Sequence, residues 1–209
     1  STSRRQRQMC IRDRGTLTYK GDSSEVKVAQ YSEVRIPRGG EYKVVLPDGT
    51  IVWLNAESSL RFPTLFTGKE RKVYAKGELY FDVKHDDTKP FIVEVEKDYS
   101  VRVLGTEFNL RAYSGFPVVT TLVEGRVQVR GVGNTVSLAP GQQALEVSGT
   151  RDIKVLDVDV APYVAWHEGK FYFVHAPLNS IMEELARWYD VEVVFENPAV
   201  REECFTIEM

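Results

Sequence analysis

From residue 26 to about 158 the chain is cut into short β-type runs, close to one every ten residues, leaving little room for a helix of ordinary length. Such runs occupy 60–62, 73–75, 79–83, 91–95, 101–104, 108–112, 118–123, 127–129, 136–138 and 143–147. Turn residues stand between them, at Gly68-Lys69-Glu70, Asp86-Asp87-Thr88, Glu124-Gly125, Gly133-Asn134 and Pro140-Gly141. Many evenly spaced strands predict an antiparallel β-sandwich or a rolled barrel, and the pattern fits both. One hairpin has its mechanism in its residues. Tyr42, Val44 and Leu46 alternate with Lys43 and Val45, and Pro47-Asp48-Gly49-Thr50 then turns the chain into 51–54. Proline presets one turn angle, glycine supplies another, and Asp48 is expected to cap local amides.

The chemistry changes between 157 and 168, where Asp157-Val158-Asp159-Val160-Ala161-Pro162 closes the β pattern and an aromatic connector, 163–166, follows. A run at 170–174 precedes Pro177, expected as a first helical residue. Leu178, Ile181, Met182, Leu185, Trp188 and Tyr189 then share one helix face. Val191-Glu192-Val193-Val194-Phe195 reads as a strand, Asn197-Pro198 as a turn, and Cys204-Phe205-Thr206-Ile207 as a last strand. Three short strands cover a helix thinly, so the chain is expected to stop inside this domain. The expected organisation is a tail over 1–25, an all-β domain over 26–158, and a small, incomplete α/β domain over 159–209.

With 209 residues, 43% of them hydrophobic, there is material for one good core and a second, smaller one. The formal net charge is -3 with both signs interspersed, which argues against nucleic acid as a partner. Cys10 and Cys204 form neither a disulfide framework nor a metal-ligand cluster. No apolar run approaches the roughly 18–20 residues of a bilayer span. Arg4, Arg5, Arg7, Arg12 and Arg14 make the first fourteen residues basic without hydrophobic period, and Met9-Cys10-Ile11-Arg12-Asp13-Arg14 resembles translated adapter sequence. That stretch is read as a disordered or non-native tail.

No catalytic constellation emerges, and neither cofactor nor metal is expected. His85-Asp86-Asp87 are neighbours on one loop, a poor way to surround a cation. His167 and His175 bracket a strand with no serine or cysteine motif to activate. Trp53, Phe62, Tyr74, Tyr80 and Phe81 form either a sugar platform, making this a carbohydrate-binding module, or ordinary core; strand spacing favours core.

Taken in order, several landmarks resemble the FecR domain, especially as found in Bacteroidetes. They are Gly39-Gly40-Glu41-Tyr42, Leu46-Pro47-Asp48-Gly49-Thr50, Val52-Trp53-Leu54-Asn55, Gly77-Glu78-Leu79-Tyr80-Phe81-Asp82-Val83, Val103-Leu104-Gly105-Thr106-Glu107-Phe108-Asn109, Thr121-Leu122-Val123-Glu124-Gly125 and Leu138-Ala139-Pro140-Gly141-Gln142. Trp166-His167-Glu168-Gly169-Lys170-Phe171 and Arg187-Trp188-Tyr189 resemble the C-terminal domain of the same proteins, related to the short N-terminal domain of secretins and TonB-dependent receptors.

The resemblance implies the periplasmic part of a single-pass inner-membrane anti-sigma factor. Such proteins hold an extracytoplasmic-function sigma factor through a cytoplasmic segment, cross the membrane once, and take a signal from the signalling domain of a TonB-dependent receptor. The cytoplasmic segment and the membrane helix are not among these residues. The resemblance also points to Gly105-Thr106, since some FecR-like regulators break a Gly-Thr bond by an N-to-O acyl shift. A threonine hydroxyl attacks the preceding carbonyl when the turn strains that peptide; a tight strand connection is the alternative, and the chain is not expected to be an enzyme. The expected partner surface is a sheet edge at Val191, Val193 and Phe195, or at 205–207, with Arg187, Trp188 and Tyr189 beside it. Arg187 is expected to point outward and Trp188 partly inward.

Overall fold

The computed structural model describes residues 8–10, 15–18, 30–95 and 98–209. The first two stretches are backbone strands, β1 (Gln8–Cys10) and β2 (Gly15–Thr18), and the rest of the expected tail lies outside the described residues. Thirteen strands follow. They are β3 (Tyr31–Arg35), β4 (Tyr42–Val45), β5 (Ile51–Leu54), β6 (Ser59–Pro63), β7 (Arg71–Val83), β8 (Phe91–Val95) and β9 (Tyr99–Val103). After these come β10 (Thr106–Ala112), β11 (Val119–Glu124), β12 (Val127–Arg130), β13 (Thr135–Leu138), β14 (Gln142–Glu146) and β15 (Ile153–Asp157).

The strand-rich reading holds, with a topology that settles what the spacing left open. Two sheets enclose one core in a nearly closed roll and share a single strand, β7. One sheet runs β1-β3-β6-β7-β8-β9-β12-β13 and the other β2-β4-β5-β7-β10-β11-β14-β15. The runs at 73–75 and 79–83 are therefore one strand of 13 residues, not two. Its first half pairs with β6 and β8, its second with β5 and β10. Gly77 makes the change of sheet possible. It sits at φ 88°, where a Cβ would stand 2.4 Å from Ser58 Oγ and 2.7 Å from Ser58 Cα, so the bend is closed to any residue with a side chain. Against the antiparallel expectation, β8 runs parallel to β7, as β1 does to β3 and β2 to β4; the loop from 84 to 90 carries the β7–β8 crossover.

Inward positions alternate as a two-faced strand requires. Leu79, Phe81 and Val83 of β7 and Phe108 and Leu110 of β10 are buried, and Phe81 stacks on Phe108 with ring centres 4.9 Å apart. Across the core Phe81 meets Phe91 edge-on, and Tyr99 and Thr120 share a buried hydrogen bond of 2.8 Å. Each such aromatic contributes on the order of 1.5–3 kcal/mol through burial. Opposite the Gly77 bend, Arg71 ties the two ends of β7 together. This arginine, 2% exposed, donates to Asp48 Oδ2 (2.9 Å) and to the carbonyls of Lys84 (2.7 Å), Lys89 (2.8 Å) and Leu104 (3.2 Å). Asp48 also caps its turn as expected, accepting from Thr50 N and Oγ1.

The remaining chain forms a smaller unit with its own core. Helix α1 (Ala161–Val164) and a 3-10 turn (Ala165–Glu168) lead into β16 (Tyr172–Pro177), α2 (Leu178–Tyr189), a second 3-10 turn (Pro198–Glu202) and β17 (Cys204–Glu208). Strands β16 and β17 pair antiparallel, and Phe171, Phe173 and Ile181 are buried with Met182, Leu185, Trp188 and Ile207 against them. Pro177 is the N-cap, so the helix begins at Leu178, one residue later than expected, and Tyr189 of the expected apolar face is 61% exposed. Residues 191–195 are not a strand. Val191 N bonds back to the helix at Ala186 O and Val191 O accepts from Arg38, so its ladder groups are taken; among the described residues no strand pairs with the stretch. Alternating Val and Glu supply strand propensity, which counts only where a neighbouring strand completes the ladder. No helix among the described residues is long and apolar enough to cross a membrane.

Candidate functional site

The second sheet has an unusual outer face. Positions 78, 80, 107, 109 and 111 alternate with the core residues of β7 and β10 and ought to meet water. Yet Glu78, Tyr80 and Asn109 are 5%, 4% and 2% exposed, because the 3-10 turn and α2 lie across them. An ionisable side chain is buried at acceptable cost only when its polar atoms are engaged, and here they are. Glu78 accepts from Asn55 Nδ2 (3.0 Å) on one oxygen and from Asn109 Nδ2 (3.1 Å) on the other. Asn109 Oδ1 in turn accepts from Trp166 Nε1 at 3.1 Å. A continuous polar chain thus runs from β5–β6 through two strands into the small unit.

Around this chain the seam is lined by rings and charges. His167 lies flat on Tyr80, ring centres 4.0 Å apart, and Trp53 meets both edge-on. The Tyr80 hydroxyl donates to Glu107 at 2.8 Å; burial first, and this carboxylate second, push its ionisation well above the ordinary tyrosine range. Arg111 reaches Glu184 of α2 at 3.8 Å, and Arg187 stacks over Tyr113 at 4.7 Å. At the end of α2, Gly39 N donates to Arg187 O (2.8 Å) while Arg38 donates to Ala186 O (2.8 Å) and Val191 O (3.1 Å) and pairs with Asp190 at 3.5 Å. Arg187 O and Ala186 O belong to the last turn of the helix and Val191 O to the chain just past it, so both residues fasten on the helix end. Burial and the nearby Glu78 raise the Glu184 carboxyl to about 7, against the opposing pull of Arg111 and Arg187.

The residues expected to carry function are spread over the molecule. Gly105 and Thr106 sit at the Arg71 end, away from the Glu78 cluster. Thr106 opens β10 opposite Val83, and its hydroxyl donates to Arg126 O at 3.1 Å. A Cβ on Gly105 would stand 2.5–2.6 Å from His85, so the glycine serves close packing of the loop. Arg187 does not point away: its guanidinium lies over Tyr113 in the seam. Trp188 packs in the small core against Phe171, as expected. Tyr189, Val191, Val193 and Val194 are exposed, Phe195 is half-buried under Arg201, and Phe205 of β17 is exposed. Of the aromatic set, Phe62 and Phe81 are core and Tyr80 and Trp53 lie under His167. Tyr74 alone is open, beside Tyr31 and Arg61. Among the described residues no three His, Cys, Asp or Glu side chains converge as metal ligands. The sequence reading missed the seam group: Glu78, Asn109, Arg111 and Glu184. A carboxylate and an amide at outward positions flanking two aromatics were its only signal.

The FecR protein family matches residues 32–128, and the FecR C-terminal family matches 170–209. No curated protein matches the chain. Two crystal structures from Parabacteroides distasonis ATCC 8503, of a chain to which an anti-sigma role is ascribed, are similar to it with TM-scores of 0.78 and 0.77. Each is 33% identical, with 85% of this chain and 84% of that chain covered.

Proposed function

The chain belongs to the FecR family of anti-sigma factors, and from that premise we propose that it is the periplasmic, signal-receiving part of a membrane-anchored regulator. Its small C-terminal unit takes the signal from the signalling domain of a TonB-dependent receptor. The β-roll passes it toward a cytoplasmic segment, outside these 209 residues, that holds an extracytoplasmic-function sigma factor. One observation carries the reading: β16 and β17 form a sheet of two strands, each with its outer edge unpaired among the described residues. Such an edge accepts a partner's strand through main-chain hydrogen bonds, with neighbouring apolar side chains setting specificity. Val174 of β16 and Phe205 of β17 are exposed apolar groups on these two strands, and Tyr189, Val191, Val193 and Val194 are exposed elsewhere on the same unit.

The role is binding and not chemistry. Thr106 Oγ1 gives its proton to a backbone carbonyl, too weak a base to activate a nucleophile. The test is capture of a receptor signalling domain by the whole chain. Capture that disappears in Phe205→Asp and Val174→Asp variants, with circular dichroism unchanged, supports the edge; capture that survives both rules it out.

A further inference from the structure

The contacts joining the two units differ in kind from those inside either. Each unit has its own apolar cluster, and the α2 residues Ile181, Met182, Leu185 and Trp188 turn toward β16 and β17. Across the seam lie hydrogen bonds, ion pairs and ring stacks: Trp166 to Asn109, Arg111 to Glu184, Arg187 over Tyr113, His167 on Tyr80, and Arg38 and Gly39 on the end of α2. Units of one chain joined by contacts of this kind move relative to each other by default, and even the rings buried at the seam, Trp166 and Tyr80, are held there through hydrogen bonds to Asn109 and Glu107. The weakest link is also the titratable one. Both Glu78 oxygens are occupied by side-chain amides, whereas Glu184 stands 3.8 Å from Arg111, beyond hydrogen-bond range.

We infer that the C-terminal unit is a proton-gated lid on the outer face of the second sheet, with Glu184 as the latch against Arg111 and Glu78. This deepens the relay reading and rests on it only for its purpose, since the lid is a property of the chain alone. The groups facing Glu184 are Glu78 from β7, Arg111 from β10 and Arg187 from its own helix, while Tyr113 from the loop after β10 and Glu183 of α2 act on Arg111. Arg38, Glu57 and Asp190 cluster at the helix end, and His167 lies against Tyr80. Closure raises the Glu184 carboxyl toward 7; release into water returns it to about 4.3. The closed state therefore binds the proton more tightly. Its extra stability is fully present below the open-state value and fades as pH rises through the closed-state value.

The Gly39 amide reads the lid directly, because its acceptor is Arg187 O across the seam. Its hydrogen exchange, corrected for the intrinsic pH dependence, is measured on the whole chain between pH 5 and 8. The expected protection falls with rising pH, by up to about tenfold per unit below pH 7. Leu110, inside the sheet, serves as control and holds steady. In Glu184→Gln the Gly39 slope disappears and protection stays high throughout. Should that variant fail to fold, Asp190→Asn takes its place as comparison and must keep the wild-type slope. A flat wild-type profile, an unchanged slope in Glu184→Gln, or a slope lost in Asp190→Asn each overturns the latch. None of these outcomes depends on whether a receptor domain binds.

Discussion

Replacing Arg71 with methionine removes the tie between the two ends of β7 while keeping most of its apolar stem. Four hydrogen bonds go, one of them to a carboxylate at 2.9 Å. Breaking a buried ion pair from one side costs about 3–5 kcal/mol, chiefly through the charge left behind. Two structural facts set where in that range the loss falls. Asp48 keeps Thr50 N and Oγ1 as donors and is 14% exposed, which softens its isolation. Against that, the carbonyls of Lys84, Lys89 and Leu104 lose their shared donor, at up to about 1 kcal/mol each where water cannot replace it. The expected loss is about 4 kcal/mol. With a urea slope of about 2 kcal/mol per molar, the unfolding midpoint drops by about 2 M. The double variant Arg71→Met, Asp48→Asn removes the stranded charge and recovers about 1–2 kcal/mol of the loss. A single-variant loss under about 1 kcal/mol, or a double variant at the additive sum, refutes the account.

Gly77→Ala forces a Cβ into Ser58 at a positive φ, so it lowers stability by about 3 kcal/mol and the melting temperature by about 10 °C in calorimetry. Trp166→Phe deletes one cross-seam hydrogen bond; Gly39 exchange accelerates about fivefold to tenfold while the main calorimetric transition of the β-roll barely moves. A denaturing gel of the purified chain shows one species at 23.8 kDa, and two fragments meeting at Gly105-Thr106 would reverse the non-catalytic reading. Tyr74→Ala leaves any glycan titration featureless, as the unaltered chain does; saturable heat lost on that substitution revives the carbohydrate-binding alternative.

Local grammar carried much of the fold. The Pro47-Asp48-Gly49-Thr50 turn, the alternation along β10 and the apolar face of α2 are settled by residues within a few positions of one another. What escaped depends on distant partners. The runs at 73–75 and 79–83 stand apart in the sequence with Gly77 between them; only Ser58, pressed against Gly77, shows a bend within one strand. Likewise 191–195 has every local mark of a strand except a neighbour. The seam was hidden for a related reason. Period-two alternation assigns Glu78, Asn109 and Arg111 to the solvent side, and they do leave the core, only to be covered by residues such as Trp166, 57 positions beyond Asn109. Arg187 was misjudged because helix geometry gives its direction without saying that Tyr113 waits there.

The shared strand makes the roll resemble a book, with Gly77 at the spine and Arg71 as the clasp on the opposite edge of the covers. The C-terminal unit is fastened beside the spine, at Glu78, and not across the clasp. A force pulling that unit away is shared between its fastening beside the spine and the chain itself, which leaves the roll through β15 at the edge of the second sheet. While the fastening at Glu78 holds, the load spreads into β7 and β10, and once it opens the edge strand β15 bears it alone.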